Sequence, residues 1–381
     1  MPSGLPNQAD VIVIGGGIAG AASAAFLAEG GASVVLIERE AIAAGASGRN
    51  SGVVQAPLDP VLAELYLATI AEYRRLEDQS GGGFRLPDRP AGLLHVTHSA
   101  EVARRMTADL AATHPEFSPE FLDGEALVSL EPSLHRSVSA CRVAIGYPVA
   151  PAAATRAYGD LAHARGVAVV IGASAEVTRQ GSRVTGVKTV AGSSVGAGAV
   201  TVAAGPWTPE VVDPSGRWRP IRPVWGVVAE VDLASPPRHV LEEAEIDDTI
   251  EPAVAAVDSS DGFAFSLVTA AGRSVLGSTF LETEPDPDAL VPALRRRGAR
   301  FVPALADAPL IGTRRCARPQ SADGRPLVGR VPWLDGLYVV AGHGPWGIST
   351  GPGSAKLLAD LVLERRAGVP PALDPARFGG P

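Results

Sequence analysis

Residues 11–38 read VIVIGGGIAGAASAAFLAEGGASVVLIE and decide the fold. The apolar run Val11–Ile14 predicts a buried parallel strand, and Val34–Ile37 predicts a second strand that ends at Glu38. Between the two strands, small residues predict a helix that extends to about Glu29. The order of strand, glycines, helix, strand and acid predicts a dinucleotide-binding βαβ unit.

Three glycines and one acid give this unit its chemistry. Gly15, Gly17 and Gly20 form the pattern G-x-G-x-x-G at the turn into the helix. The first permits a tight turn, the second lets a pyrophosphate approach bare backbone, and the third lets the helix pack closely on the strand. The helix N-terminus offers free N–H groups to phosphate, and Glu38 is placed to bind ribose hydroxyls.

The composition suits a well-packed soluble protein, because 46% of the 381 residues are hydrophobic and 19% are charged. This length allows two domains, or one large α/β domain with insertions. The formal net charge of −8 disfavours nucleic acid or an anionic membrane as the main partner. Lys188 and Lys356 are the only lysines, so chemistry that needs a lysine has two candidates.

The amino terminus, MPSGLPNQAD, lacks the charged and apolar regions of a signal peptide, so none is expected. No apolar run is long enough to predict a membrane-spanning helix. Cys141 and Cys316 do not make a disulfide framework. We therefore expect a cytoplasmic protein, and an oligomer is compatible with the sequence. No Cys or His cluster has metal-ligand spacing, so no metal is expected.

Changes of pattern along the chain predict two interleaved domains. Residues 1–80, 146–215 and 312–381 are assigned to a discontinuous nucleotide-binding domain, and residues 81–145 and 216–311 to a second domain. The runs VWGVVAEVDL, GFAFSLVTA and RSVLGSTF predict an antiparallel sheet in the second domain. A ligand site is expected in the crevice between the domains.

Four further segments carry small residues and turns that suit backbone passing close to a cofactor. They are GASGRNSG (45–52), VTVAAGPWT (200–208), CARPQSADGRPLVG (316–329) and GHGPWG (342–347). The last segment precedes a predicted closing helix, Gly353–Glu364, and the N-terminal end of that helix would stabilise negative charge on the cofactor.

Together with the glycine loop, these segments resemble the D-amino-acid-oxidase (DAO) family of FAD enzymes, in its glycine oxidase and sarcosine oxidase branch. The resemblance covers nearly the whole chain and is tightest at residues 11–52, 198–207 and 314–362. It implies an α/β fold in which a Rossmann-like FAD-binding domain of the GR2 type carries an inserted α+β substrate domain built on an antiparallel sheet. FAD is the implied cofactor.

The resemblance also implies which residues bind FAD, several of them through backbone. They are Gly15, Gly17, Ile18, Gly20, Glu38 and Arg39; Ser47, Arg49, Asn50, Ser51 and Gly52; Val177, at the adenine end; Ala204, Gly205 and Trp207; Cys316; and Gly344, Trp346, Gly347 and Ile348 beside the isoalloxazine.

For the substrate, the resemblance singles out Arg318, which falls where family members hold the substrate carboxylate. A bidentate guanidinium contact would orient the substrate as well as anchor it; the alternative is an ion pair with Asp323. Phe265 lies near the place where glycine-oxidase-like relatives carry a tyrosine. The absent hydroxyl, with Trp225 and Trp346 in the same pocket, favours a larger or N-substituted amino acid. Ordinary core aromatics are the alternative for all three.

Two residues are implied to act on the flavin itself. Cys316 matches a cysteine that sarcosine-oxidase-like members join covalently to the flavin 8α carbon; the alternative is a buried inert thiol. Those members also place a lysine beside the flavin to activate oxygen, and the matching position here is Val275. His343 is the candidate for a substitute cation, which would make it catalytic together with Arg318. The alternative is an electron acceptor other than oxygen.

These implications predict an FAD-dependent amino acid or amine oxidase. It would oxidise the C–N bond of an amino acid or N-substituted glycine, with O2 as acceptor and H2O2 as product. The alternatives are a quinone or carrier protein as acceptor, a 2-hydroxy acid as substrate, and a flavoprotein without turnover that serves as a binding subunit.

Overall fold

The computed structural model describes residues 5–244 and 262–381. Its strands, in chain order, are β1 (Gln8–Ile14), β2 (Val34–Glu38), β3 (Val53–Val54), β4 (Leu93–Thr97), β5 (Glu120–Leu122), β6 (Ser139–Val143), β7 (Tyr147–Pro148), β8 (Ala168–Ile171), β9 (Ala175–Gln180), β10 (Arg183–Thr189), β11 (Ser194–Val202), β12 (Ile221–Val231), β13 (Val240–Glu243), β14 (Phe263–Ala270), β15 (Arg273–Thr279), β16 (Leu310–Ser321), β17 (Leu327–Arg330) and β18 (Leu337–Ala341).

The α-helices, in chain order, are α1 (Ile18–Glu29), α2 (Ala46–Arg49), α3 (Pro60–Gln79), α4 (Ala100–Thr113), α5 (Gly124–Leu130), α6 (Ala153–Ala164), α7 (Thr208–Val212), α8 (Pro287–Ala299) and α9 (Gly347–Val362). In the described part of the chain, no helix is long and apolar enough to span a membrane.

The first sheet has the spatial order β17-β18-β11-β1-β2-β8, with β10 and β9 branching from β11. The strands β18, β11, β1, β2 and β8 run parallel. β1 lies at the centre, and its apolar residues Val11–Ile14 are all buried, as expected for a strand covered on both faces. The predicted βαβ unit is confirmed as β1, α1 and β2.

Helix α1 is buried on all sides between α6 and α9. Ten of its twelve residues are buried. Its alanines and glycine let the neighbouring helices approach closely, and a helix covered all round needs no polar stripe. The small-residue composition read from the sequence is therefore a packing requirement.

The second sheet has the order β16-β12-β15-β14-β13-β4-β6-β5. Its neighbouring strands run antiparallel except for β13 and β4, which are parallel. β16 pairs with β12 along its length, from Leu310 to Ser321. The domain boundary predicted at residue 312 is therefore wrong, because ladder hydrogen bonds keep the whole strand in the second sheet. The other boundaries stay a prediction.

One face of the second sheet packs on α8, around Phe265, Leu276 and Leu294. The opposite face meets the first lobe at the segment 50–55: Arg314 of β16 donates to the Asn50 carbonyl (3.3 Å), and Gln55 donates to the Glu242 carboxylate of β13 (3.3 Å). We call the face of the second sheet that meets the first lobe, formed by β16, β12, β15, β14 and β13, the crevice face.

Candidate FAD and substrate site

The glycine loop sits where β1 meets α1. Gly15 has φ +112°, a left-handed backbone that side chains disfavour. A Cβ on Gly15 would collide with the Ala203 carbonyl, and one on Gly20 would collide with the Gly15 carbonyl. Gly17 is the N-cap of α1 and no side chain caps it. The loop therefore has the bare backbone, next to a helix N-terminus, that a pyrophosphate requires.

Polar side chains surround this helix N-terminus. The Ile18 N–H donates to Ser47 Oγ (2.9 Å), and the Gly16 N–H donates to the Glu38 carboxylate (2.6 Å). The other Glu38 oxygen accepts from the Glu40 N–H (2.8 Å). Glu38 thus ends β2 beside the glycine loop, which is the position from which an acid contacts a ribose.

The ends of the neighbouring strands complete this part of the site. The Ala203 N–H donates to the Ile14 carbonyl (2.8 Å), which brings the segment of Ala204 and Gly205 against the glycine loop. Arg39 stacks over the Trp207 ring with its guanidinium carbon 3.8 Å from the ring centroid. Val177 lies on β9, and the Ala173 N–H just before that strand donates to the Glu38 carbonyl (3.1 Å).

The segment after α2 continues from Ser47 towards the second sheet. Asn50 holds the segment itself, because its amide donates to the Ser47 carbonyl (2.8 Å) and accepts from the Gly52 N–H (2.8 Å). Ser51 Oγ lies 3.6 Å from where a Cβ on Gly277 would stand. Arg49 is exposed at the end of α2. The segment therefore passes directly against the crevice face of β15.

Every second residue of β16 lies on the crevice face, and these residues include Arg314, Cys316 and Arg318. They pair in register with Val228, Gly226 and Val224 of β12, and residues two apart on a strand share a face. Burial raises the pKa of the Cys316 thiol, and the nearby Arg318 offsets that shift only in part. Cys316 is therefore a buried thiol in the crevice; its covalent attachment to flavin stays a prediction.

Arg318 is held by the strands beside it. Its Nη1 donates to the Thr279 carbonyl (2.8 Å), its Nη2 donates to Ser278 Oγ (2.5 Å), and its guanidinium carbon stands 4.2 Å from the centroid of the Phe280 ring. A Cβ on Gly226 would lie 2.5 Å from both terminal nitrogens, so the glycine leaves the room that the guanidinium occupies. Burial lowers the pKa of Arg318, which remains a cation at neutral pH.

Arg318 has no carboxylate within ion-pair distance among residues 5–244 and 262–381. The alternative ion pair with Asp323 does not form, because Asp323 pairs with Arg377 (2.7 Å). Two of the five guanidinium N–H groups of Arg318 make the hydrogen bonds described above, so three remain. A cation with three available donors and no counter-charge on the crevice face can bind an anion.

Helix α9 begins at Gly347, not at the predicted Gly353. The Tyr73 hydroxyl donates to the Ile348 carbonyl (2.6 Å), and the Gly353 N–H donates to Thr69 Oγ1 (2.9 Å). Packing against α3 thus sustains a helical turn that its glycines disfavour. Gly344, at φ +53°, lies in the short turn before the helix.

His343 and Trp346 occupy the same turn. His343 is buried, its Nε2 lies 3.0 Å from Ser354 Oγ, and burial lowers its pKa to about 4. The imidazole is therefore neutral at pH 7, which argues against its predicted role as a cation. Trp346 is half-buried and packs against the apolar cluster that contains Leu62 and Leu65 of α3; its contact with substrate stays a prediction.

Two aromatic residues predicted for the substrate pocket lie on the face of the second sheet opposite Arg318. The Phe265 ring stacks on Phe301 with centroids 4.8 Å apart, in the core beneath α8. Trp225 neighbours Gly226 on β12 and so points to the face opposite Arg318. Their assignment to the substrate pocket was wrong because strand alternation, which a family position does not reveal, turns each away from the crevice. Val275 of β15 is buried.

Sequence reasoning missed the residues that fix Arg318 and those that line the rest of the crevice. Gly226, Ser278 and Thr279 position the guanidinium, and Gln55 reaches Glu242 across the lobes. A glycine inside a strand is a signal of close approach and could have indicated Gly226.

The comparisons with known proteins agree with this geometry. A family model described as DAO, FAD dependent oxidoreductase, matches residues 10–361. A glycine oxidase of Pseudomonas aeruginosa is 32% identical over 205 residues, which are 52% of this chain and 50% of that protein. A D-amino acid dehydrogenase of Cereibacter sphaeroides is 29% identical over 311 residues, which are 78% of this chain and 67% of that protein. The match thus spans about half the length of the first relative.

Solved structures show the same fold. The glycine oxidase from Geobacillus kaustophilus superposes with a TM-score of 0.80 at 24% identity, covering 98% of both chains. The L-proline dehydrogenase from P. horikoshii superposes with a TM-score of 0.81 at 20% identity, also covering 98% of both. The bare glycine loop, the N-terminus of α1 and Glu38 fit the nucleotide half of FAD. The chain belongs to the DAO family of FAD-dependent oxidoreductases.

Proposed function

We propose that this protein oxidises the C–N bond of an amino acid or N-substituted glycine, giving an imine that water hydrolyses to an oxo acid and an amine or ammonia. The observation that carries the proposal is Arg318: a half-buried guanidinium, fixed by Thr279 and Ser278, with no carboxylate partner in the described residues. Relatives named glycine oxidase and D-amino acid dehydrogenase support the substrate class.

FAD, when bound, would supply the acceptor for the hydride equivalent that leaves the C–H bond beside the substrate nitrogen. The chain supplies alignment. Arg318 binds the substrate carboxylate through two parallel N–H groups, and this contact fixes where the neighbouring carbon points. No acid–base residue is required if the substrate binds as the neutral amine. The rate of anaerobic flavin reduction should then climb with pH as the substrate nitrogen loses its proton, and a flat profile would contradict this.

The direct test is an anaerobic screen in which loss of flavin absorbance is followed with amino acids, N-alkyl glycines and 2-hydroxy acids. We expect reduction by at least one amino acid or N-alkyl glycine. Reduction by 2-hydroxy acids alone would replace the proposal, and failure of every compound would favour a binding subunit without turnover.

Two variants sharpen the test. Arg318→Gln removes the charge and should raise the substrate concentration needed for half-maximal flavin reduction by about a hundredfold. Arg315→Gln is the matched control, since Arg315 lies on the other face of β16 and pairs with Glu284 (2.7 Å). If both variants show the same substrate dependence of flavin reduction, Arg318 does not bind the substrate carboxylate.

We further propose O2 as the electron acceptor, with peroxide formed in air as its measurable product; no peroxide would indicate a quinone or carrier protein. The presence of two cysteines in 381 residues supports a reducing compartment, and hence the cytoplasm.

A further inference from the structure

Gln55 lies where the two lobes meet, and the mechanism above does not use it. Its side-chain amide donates to the Glu242 carboxylate of β13, in the second sheet (3.3 Å). Its backbone N–H donates to Ser349 Oγ, in the first turn of α9 (3.0 Å). Gln55 itself is buried. One buried residue therefore connects a strand of the second lobe to a helix of the first.

The start of α9 lies between the glycine loop and the Arg318 site. A Cβ on Gly351 would stand 3.0 Å from the Ile18 side chain, at the N-terminus of α1. In the turn just before α9, a Cβ on Gly344 would stand 2.6 Å from the side chain of Gln320, which shares a face of β16 with Arg318. A cofactor that extends from the glycine loop to a substrate on Arg318 would therefore have its ring beside this turn.

Hydride transfer depends on how the two lobes are placed, because the substrate carboxylate is assigned to the second lobe and the flavin ring to the first. Reacting atoms must approach to about 3–3.5 Å, and a misplacement of about 1 Å costs roughly a hundredfold in rate. Arg318 is bonded to Thr279 and Ser278, within the second lobe. These contacts fix the substrate relative to β15, but they do not fix it relative to the start of α9.

The contact between Gln55 and Glu242 is an unusual choice if it serves stability alone. Glu242 is half-buried, and no cation among the described residues pairs with it, whereas the next residue, Glu243, pairs with Arg297 (2.6 Å). Burial raises the pKa of Glu242 to about 7, because the Gln55 hydrogen bond offsets only part of the desolvation. A carboxylate removed from water without a cation destabilises a fold, so the gain from this contact lies elsewhere.

We propose that Gln55 is a positioning residue for hydride transfer: by holding both Glu242 and Ser349, it sets the distance between the substrate on the second sheet and the flavin ring beside the start of α9. The inference rests on the proposed function, because it assigns the substrate carboxylate to Arg318. Gln55 acts through its two partners and not by contact with the reacting atoms.

The first experiment uses Gln55→Met, which keeps the length of the side chain and removes its amide. We expect the limiting rate of anaerobic flavin reduction to fall by about tenfold or more, while the substrate concentration for half-maximal reduction changes by less than about threefold, because Arg318 keeps its own contacts. Gln180→Met is the matched control, since Gln180 is exposed at the end of β9. A limiting rate equal to that of the control overturns the inference.

The double variant Gln55→Met/Glu242→Leu separates positioning from stability. Gln55→Met alone leaves the Glu242 carboxylate without its donor and should lower the melting temperature. The double variant replaces both partners by apolar groups and should regain most of that loss. Its limiting rate should stay as low as that of Gln55→Met, because the contact between the lobes is still absent. If the rate recovers together with the melting temperature, the role of Gln55 is structural only and the inference fails.

Hydrogen exchange of the holoenzyme gives a readout that needs no substrate. Loss of the contact should speed amide exchange in peptides that cover residues 53–55 and 347–350 by about tenfold or more, in Gln55→Met and in the double variant. Unchanged exchange in both segments would also overturn the inference. If exchange is faster in the variants but no amino acid or N-alkyl glycine reduces the flavin of the wild type, the proposed function is refuted instead.

Discussion

The substitution Gly226→Ala tests the position of the Arg318 guanidinium, because it displaces this group without removing its charge. The new Cβ would lie 2.5 Å from both terminal guanidinium nitrogens, against an ordinary contact of about 3.5 Å, so the guanidinium must retreat by about 1 Å. Its hydrogen bonds to Thr279 and Ser278, now 2.8 and 2.5 Å, would then reach or exceed the usual limit.

The substitution is expected to impair both the reaction and the stability of the fold. A hydrogen bond of a charged group contributes about 1.5–3 kcal/mol, and a misplacement of about 1 Å at a reacting centre costs roughly a hundredfold. We expect the ratio of the flavin reduction rate to the substrate dissociation constant to fall by about thirty- to a hundredfold. The melting temperature should fall as well, because the two weakened hydrogen bonds also stabilise the fold, and the better suitability of alanine for a strand offsets only part of that loss.

Stopped-flow flavin reduction and thermal unfolding of the holoenzyme measure the two effects. Gly312→Ala, on β16, is the matched control, since nothing lies within 4 Å of its added Cβ. If Gly226→Ala reduces its flavin with wild-type rate and saturation, Arg318 does not hold the substrate carboxylate and the reasoning fails.

Three further predictions concern Cys316, Phe265 and His343. Acid precipitation should release the flavin to the supernatant, because burial keeps Cys316 as a thiol; a yellow pellet that Cys316→Ser abolishes would show the covalent bond instead. Phe265→Tyr should lower the free energy of unfolding by about 1–3 kcal/mol without tightening substrate binding, because its hydroxyl would enter the core beside Phe301; tighter binding measured by flavin reduction would restore Phe265 to the pocket. The pKa of His343 is about 4 in the folded protein and 6.5 ordinarily, so the unfolded chain binds the proton first as the pH falls. The free energy of unfolding should therefore decrease, by up to about 3 kcal/mol, between pH 6.5 and pH 4. Denaturant titrations at several pH values should show a weaker decline in His343→Gln, and an equal decline would contradict the buried neutral ring.

The nucleotide half of the site was predictable because its signal is local. The strand, the glycines and the acid stand within 28 consecutive residues, and each performs its role through backbone geometry. The start of α9 was not predictable in this way. Its glycines and Pro352 disfavour a helix, and contacts with Tyr73 and Thr69, distant in sequence, decide the outcome.

The substrate half depends on which face of a strand each side chain occupies. The position of Arg318 came from the family pattern, but its holders Ser278 and Thr279 lie on another strand. Phe265 was misplaced because a family position does not reveal which face of β14 a side chain occupies, and the pairing of β14 with β15 also shifts register between Phe263 and Ser266. The Arg377 partner of Asp323 is 54 residues away, too far for pattern reasoning.

The segment 50–55 is fastened to the second sheet at Asn50 and again at Gln55. A hinge motion that swings one lobe off the other would have to rupture both attachments together. Exchange of small molecules that leaves both attachments intact would therefore keep the two lobes joined along the segment 50–55.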